Sequence, residues 1–168
     1  MKFNYYLIIS TLICLISSCN QKAEINEAEI YSLINEVIFD DSIVVNNVCW
    51  NFNKLSLDKD MLKEFSNEDI EFNEKIKLKF RNLKVKPNKI IHFHYNYKLG
   101  DYAKIDSTCN ENSVVHLSVP FVSVNRKKIL IDIQYDCNCM LGGSGGKYLY
   151  EKIKGHWKLN KSFDEWIS

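Results

Sequence analysis

Two runs of alternating side chains constrain this chain most. In residues 115–121, Val115, Leu117, Val119 and Phe121 fall on one side of an extended backbone. In residues 129–135, Ile129, Ile131, Ile133 and Tyr135 do the same. A period of two marks a strand with one buried face, and the short polar link between the runs makes them a hairpin. A two-residue loop at Asn125-Arg126 would set Val119 against Asp132, core against solvent. A three-residue loop, Asn125-Arg126-Lys127, pairs Phe121 with Ile131, Val119 with Ile133 and Leu117 with Tyr135. The second register is expected, because a one-residue slip sends every side chain to the other face. Pro120 has no N–H to give a ladder and points to an edge or a bulge.

The rest of the chain supplies partners for this hairpin. Ile30, Leu33, Ile34, Val37 and Ile38 recur at three and four, which predicts an amphipathic helix over residues 24–38 that stops at Asp40-Asp41-Ser42. Residues 43–52 are β-branched and aromatic, and Asn46-Asn47 breaks them into two possible short strands. Residues 57–65 suit a second helix capped by Asp58; in 67–83 Ile76, Leu78 and Phe80 alternate like a strand, yet the Glu and Lys content favours a third helix. In residues 91–98, Ile91, Phe93, Tyr95 and Tyr97 share one strand face; His92, His94, Asn96 and Lys98 share the other. A last hairpin turns at Lys154-Gly155, brings Trp157 and Leu159 beneath Tyr148 and Tyr150, and sets Glu151 opposite Lys158. Trp166-Ile167 is expected to tuck against the core. The fold class is α+β: an N-terminal helix or helices packed on a mostly antiparallel, curved sheet of about five strands. Cystatin-like and NTF2-like folds share that architecture, an analogy that carries no activity.

The N-terminus has a separate logic. Lys2 precedes an apolar run of roughly a dozen residues, shorter than the ~20 that span a bilayer. Ile16-Ser17-Ser18-Cys19 comes next, and Asn20, Gln21, Lys22 and Glu24 end the apolar run. This resembles the bacterial lipobox. The resemblance implies a signal peptide over residues 1–18, cleavage before Cys19, a lipid on the Cys19 thiol and an acyl group such as palmitate on the new amine. Residues 19–26 then serve as anchor and tether, and 27–168 form a single α+β domain. Such a chain is exported and held in the cell envelope, at the outer membrane rather than the inner. Lys2 is the only charged residue before Cys19, so residues 19–168 carry 21 basic residues against 21 acidic. That balance gives no electrostatic case for nucleic acid as a partner; the membrane, through lipid, is the expected one.

Cys49, Cys109, Cys137 and Cys139 remain. In an oxidising compartment they are disulfide candidates. The hairpin register places Cys109 near the strand end that carries Cys137 and Cys139, so a bond to one of those two is expected, with Cys49 the partner of the other. A rival reading takes Cys137 and Cys139 with His92, His94 or His116 as a metal site for zinc or Cu(I), or as a redox pair. Against it, His92 and His94 lie on the polar face of their strand. Gly142-Gly143-Ser144-Gly145-Gly146 matches G-x-S-x-G in form, but a β-like run comes after it where the nucleophile elbow needs a helix. Lys147 is followed by Tyr148, so the run is no phosphate loop. It reads as a flexible connection between strands. No catalytic residue and no cofactor is expected. The tyrosines and Trp157 fit a core better than a ligand surface.

Residues 116–168 are similar to a group of uncharacterised lipoproteins of Bacteroidota-type bacteria. The similarity rests on Leu117-Ser118-Val119-Pro120-Phe121, the strand ending at Tyr135 and Cys137, the glycine run, Tyr148-Leu149, Gly155-His156-Trp157-Lys158 and the final Trp166-Ile167-Ser168. Similar proteins often carry Cys-Gly before the glycines, where this chain has Cys137-Asn138-Cys139-Met140-Leu141-Gly142. The resemblance brings no known activity. The expectation is a membrane-anchored, non-enzymatic binding or interaction module; the alternative is a metal-binding or thiol-redox protein using Cys137 and Cys139.

Overall fold

A computed structural model describes residues 24–92, 101–110, 113–137 and 142–168. The fold is α+β. Among the described residues three helices, α1 (Glu27–Asp40), α2 (Lys59–Leu62) and α3 (Asn67–Phe80), accompany seven strands: β1 (Asn47–Cys49), β2 (Lys104–Asp106), β3 (Val114–Leu117), β4 (Phe121–Val122), β5 (Lys128–Asp136), β6 (Gly143–Ile153) and β7 (His156–Ile167). The sheet runs β2-β1-β3-β5-β6-β7, and β4 continues the line of β3 along β5. Its curved surface does not close. All pairings are antiparallel except at β1, which lies parallel to both β2 and β3. The expected strand over residues 91–98 touches the described structure only at its start, where Ile91 bridges Tyr102. Residues 93–98, with His94, lie outside the described residues.

Helix α1 forms where its apolar stripe calls for it, and Ile30, Leu33, Ile34, Val37 and Ile38 are buried. The Asn26 side chain caps it, accepting from the Glu29 N–H at 2.9 Å. Its C-terminal end carries Glu36, Asp40 and Asp41, acids at the pole of the helix that disfavours them. The β6–β7 hairpin answers each. Trp157 donates its backbone N–H to Asp40 at 2.7 Å and its Nε1–H to Glu36 at 3.0 Å. Lys152 reaches Glu36 at 2.7 Å, and the Tyr150 hydroxyl donates to Asp41 at 2.8 Å. The acids that stop the helix also bolt it to the sheet.

The first hairpin departs from the expected register. Leu117 lies opposite Ile133 and Val115 opposite Tyr135, while Phe121 lies opposite Leu130 and Val122 opposite Ile129. The offset changes by one residue between Ser118 and Pro120. Ser118 donates its N–H to the Asp132 carbonyl at 3.0 Å, but its side-chain Oγ accepts the return bond from Asp132 at 2.9 Å. The missing N–H of Pro120 lets the chain bulge there. A four-residue loop comes next, because Ser123 and Lys128 close it and the Ser123 Oγ accepts the N–H groups of Lys127 and Lys128.

The bulge gives the sheet two buried faces. Leu117, Val122, Ile129, Ile131 and Ile133 join the main core under α1. Phe121 and Leu130 point the other way and pack with Leu149, Met61 and Phe65 in a second core. Asp132, expected in solvent, is 5% exposed on that second face. Gln134 donates to both its carboxylate oxygens at 3.1 Å. Burial pushes the Asp132 carboxyl above its ordinary range.

The second hairpin pairs as expected, with Glu151 opposite Lys158 and Tyr150 opposite Leu159. Lys154 and Gly155 both have positive φ, 52° and 89°, which a two-residue turn of this hand requires. Two expectations fail nearby. Trp166 and Ile167 are 41% and 90% exposed, because β7 is the edge of the sheet and no described element covers its end. The glycine run is no loose connection: residues 143–146 are paired strand. A Cβ on Gly145 would stand 2.9 Å from Gln134 Cγ and 3.0 Å from the Ile133 carbonyl oxygen. Glycine is there for close approach, not for freedom.

Candidate functional site

The cysteines come first, since their number and spacing set them apart in the sequence. Cys49 is bonded to Cys109, with Cα atoms 4.9 Å apart. Cys109 therefore does not pair with Cys137 or Cys139. The reason is topological: β1 lies between β2 and β3, and Cys49 stands opposite Asp106 in the parallel ladder. The Asp106 carboxylate accepts from the Thr108 N–H and hydroxyl, each at 2.8 Å, and Cys109 takes a φ of 56°. The chain thus curls back over β1. Cys137 is also disulfide-bonded; Cys139 lies outside the described residues. Cys49, Cys109 and Cys137 are thus held in disulfides and offer no thiolate to a metal. Among the described residues no cluster of His, Cys, Asp and Glu could hold an ion.

Cys137 and Ser144 both line a hollow of about 380 Å³ that also takes in Tyr135, Gly143 and Ser168. Ser144 is a mid-strand residue between Tyr135 of β5 and Ile167 of β7. No helix comes after it, so the nucleophile elbow is not formed. Among the described residues no histidine lines the hollow. His116 lies on β3 opposite Gln134, and His156 contacts Asp40 at 3.1 Å where α1 meets the sheet. Tyr150 and Trp157 are 1% exposed and belong to the core.

A larger concave feature lies elsewhere. A groove of about 640 Å³ runs along α3, between that helix, the strap of residues 52–57 and the bulge at Pro120. Its position depends on how α3 is fixed. Ser66 and Asp69 form a reciprocal capping box at the helix start. The other Asp69 oxygen accepts from the Val124 N–H at 2.7 Å. One turn on, the Asn73 amide donates to the Val122 carbonyl at 2.7 Å and accepts from the Val122 N–H at 2.8 Å. A side chain thereby does for β4 what a neighbouring strand would do, and α3 stands against the bulge.

The opposite wall is held at both ends. Asn51 bridges Lys84, Val85 donates to the Trp50 carbonyl at 2.9 Å, and Asn53 donates to Leu117 at 2.8 Å. Downstream, Asp58 caps α2 and Met61 is fully buried. Between these anchors the strap turns Leu55 and Leu57 inward. Phe52, Leu83 and Val119 pack on the main core, and Leu55, Leu57, Leu62 and Ile70 on the second. The groove is therefore the seam where the two cores meet, floored by half-buried apolar side chains. Sequence reasoning missed it. The signal lay in Phe52, Leu55 and Leu57, apolar residues in a stretch too short for a helix or a strand to be read from it.

No helix among the described residues is long and apolar enough to cross a membrane. No family model, no curated protein and no solved structure matches the chain.

Proposed function

We propose that this chain is an exported lipoprotein, held to the outer membrane through lipid on Cys19, whose folded domain is a non-enzymatic binding module with the α3 groove as its ligand site. The groove carries the reading. Its volume falls within the roughly 300–1,000 Å³ of small-molecule sites, and its lining is mostly apolar with a few polar groups at the rim. Phe52, Leu55, Leu57, Leu62 and Ile70 on its walls are apolar and only partly buried, a state that burial under a ligand relieves. Support for the anchor comes from Ile16-Ser17-Ser18-Cys19 after a short apolar run. Kinship with uncharacterised Bacteroidota-type lipoproteins rests on the residues of the C-terminal third. The metal alternative loses its thiolate at Cys137, which is disulfide-bonded.

Two measurements test the two halves. Cys19→Ser should abolish metabolic acyl labelling; normal labelling of that variant contradicts the anchor. An uncharged solvatochromic dye should brighten on the protein, and Ile70→Trp, which fills the groove from its wall, should remove most of the signal. Unchanged dye binding by a folded Ile70→Trp protein contradicts the site.

A further inference from the structure

We infer that the groove takes a single-chain anionic amphiphile, a free long-chain carboxylate. This rests on the groove being the ligand site and names the ligand class. The groove is polarised along its length. One end lies against α2, where Leu57, Leu62, Ile70 and Phe121 give only hydrocarbon. The other end lies at the C-terminus of α3, where the Asn51–Lys84 bridge holds the start of the strap beside the chain leaving the helix. There Lys77 and Arg81, one turn apart on the helix, and Lys54 on the strap line the rim and are exposed.

The charge balance at that rim is positive. Among the described residues Glu74 is the single acid lining the groove, and Lys77 stands 3.4 Å from it. Among the described residues neither Lys54 nor Arg81 forms an ion pair. The helix C-terminus contributes a partial negative charge of about half a unit, less than these two cations supply. An anion is favoured at this end and a tail at the other. The buried polar group of the groove, Asn73, is no rival for the ligand, because its amide is committed to Val122 and to the Asp69 carbonyl.

The test is calorimetric titration of the full chain with dodecanoate, dodecanol and dodecyltrimethylammonium, each below its micelle concentration. Dodecanoate should bind about tenfold tighter than the ammonium compound, the scale of a few charge-assisted contacts. The double variant Lys54→Gln with Arg81→Gln should weaken dodecanoate by about the same factor and leave dodecanol unchanged. Equal affinity for all three, abolished by Ile70→Trp, would overturn the anionic assignment while the groove stands. Binding that survives both Ile70→Trp and Leu57→Trp, or no binding of any probe, would overturn the groove and this inference with it. The two blocking variants come from opposite walls, and thermal unfolding of each checks that it is folded.

Discussion

Single carboxylates in this protein act on stability with opposite signs. Burial pushes Asp132 up, and Gln134 recovers only part of that effect. Its folded pKa lies above the unfolded one, so between the two the native state binds the extra proton. Stability from this group therefore falls as pH rises through that window and stays lowered above it. Asp132→Asn should raise the unfolding midpoint at neutral pH and change it little below the ordinary carboxylate range; a variant less stable at pH 7 than at acid pH, relative to the parent, contradicts this. At Asp40 burial also pushes the carboxyl up, but the Trp157 N–H and His156 outweigh it and hold it low. Its contribution is present above the unfolded pKa and is lost as pH falls through the folded one. Asp40→Ala leaves the Trp157 N–H without its acceptor and should cost about 1–3 kcal/mol at neutral pH, less in acid. Chemical denaturation across pH measures both.

At the scale of elements, the alternating runs made the strands legible, and the helical stripe made α1 legible. The Lys154-Gly155 turn and the Glu151–Lys158 pairing were legible too, because a two-residue turn fixes register locally. What could not be read was long-range. A short strand in residues 43–52 was legible, but not that β1 is inserted in parallel between β2 and β3, since nothing periodic in Asn47, Val48 and Cys49 fixes its partners. The disulfide expectation failed with it, since Cys109 is carried by β2 to Cys49. The second buried face did leave a trace in Ile129-Leu130-Ile131 and in Tyr148-Leu149-Tyr150, where apolar residues break the alternation. A strand covered on both sides reads as a continuous apolar run. Leu130 is 1% exposed on the face that alternation alone gives to solvent. Leu130→Ala should therefore cost about 2–5 kcal/mol, and Lys128→Ala, half exposed on the same strand, far less. Equal tolerance of the two, in urea unfolding, would place the second core wrongly.

For the whole molecule, the two cores are what create the groove. One sheet carries α1 on one face and the shorter α2 on the other, and α3 spans the seam through Asn73 and Asp69. Neither core closes there, and the strap stays apart from the helix by the width of a small ligand. The seam itself was not legible in the sequence, because it is made by segments near residues 52–57, 70–81 and 119–121, brought together by the Pro120 bulge and by the Asn51–Lys84 and Asn53–Leu117 contacts. The most direct measurement is amide chemical-shift mapping of the labelled chain titrated with dodecanoate. The largest shifts should fall on Leu55, Leu57, Ile70, Lys77, Arg81 and Phe121, with Cys137, Ser144 and the β7 edge unmoved. Shifts confined to the hollow around Ser144 and Cys137, or to Trp166 and Ile167, would contradict the account.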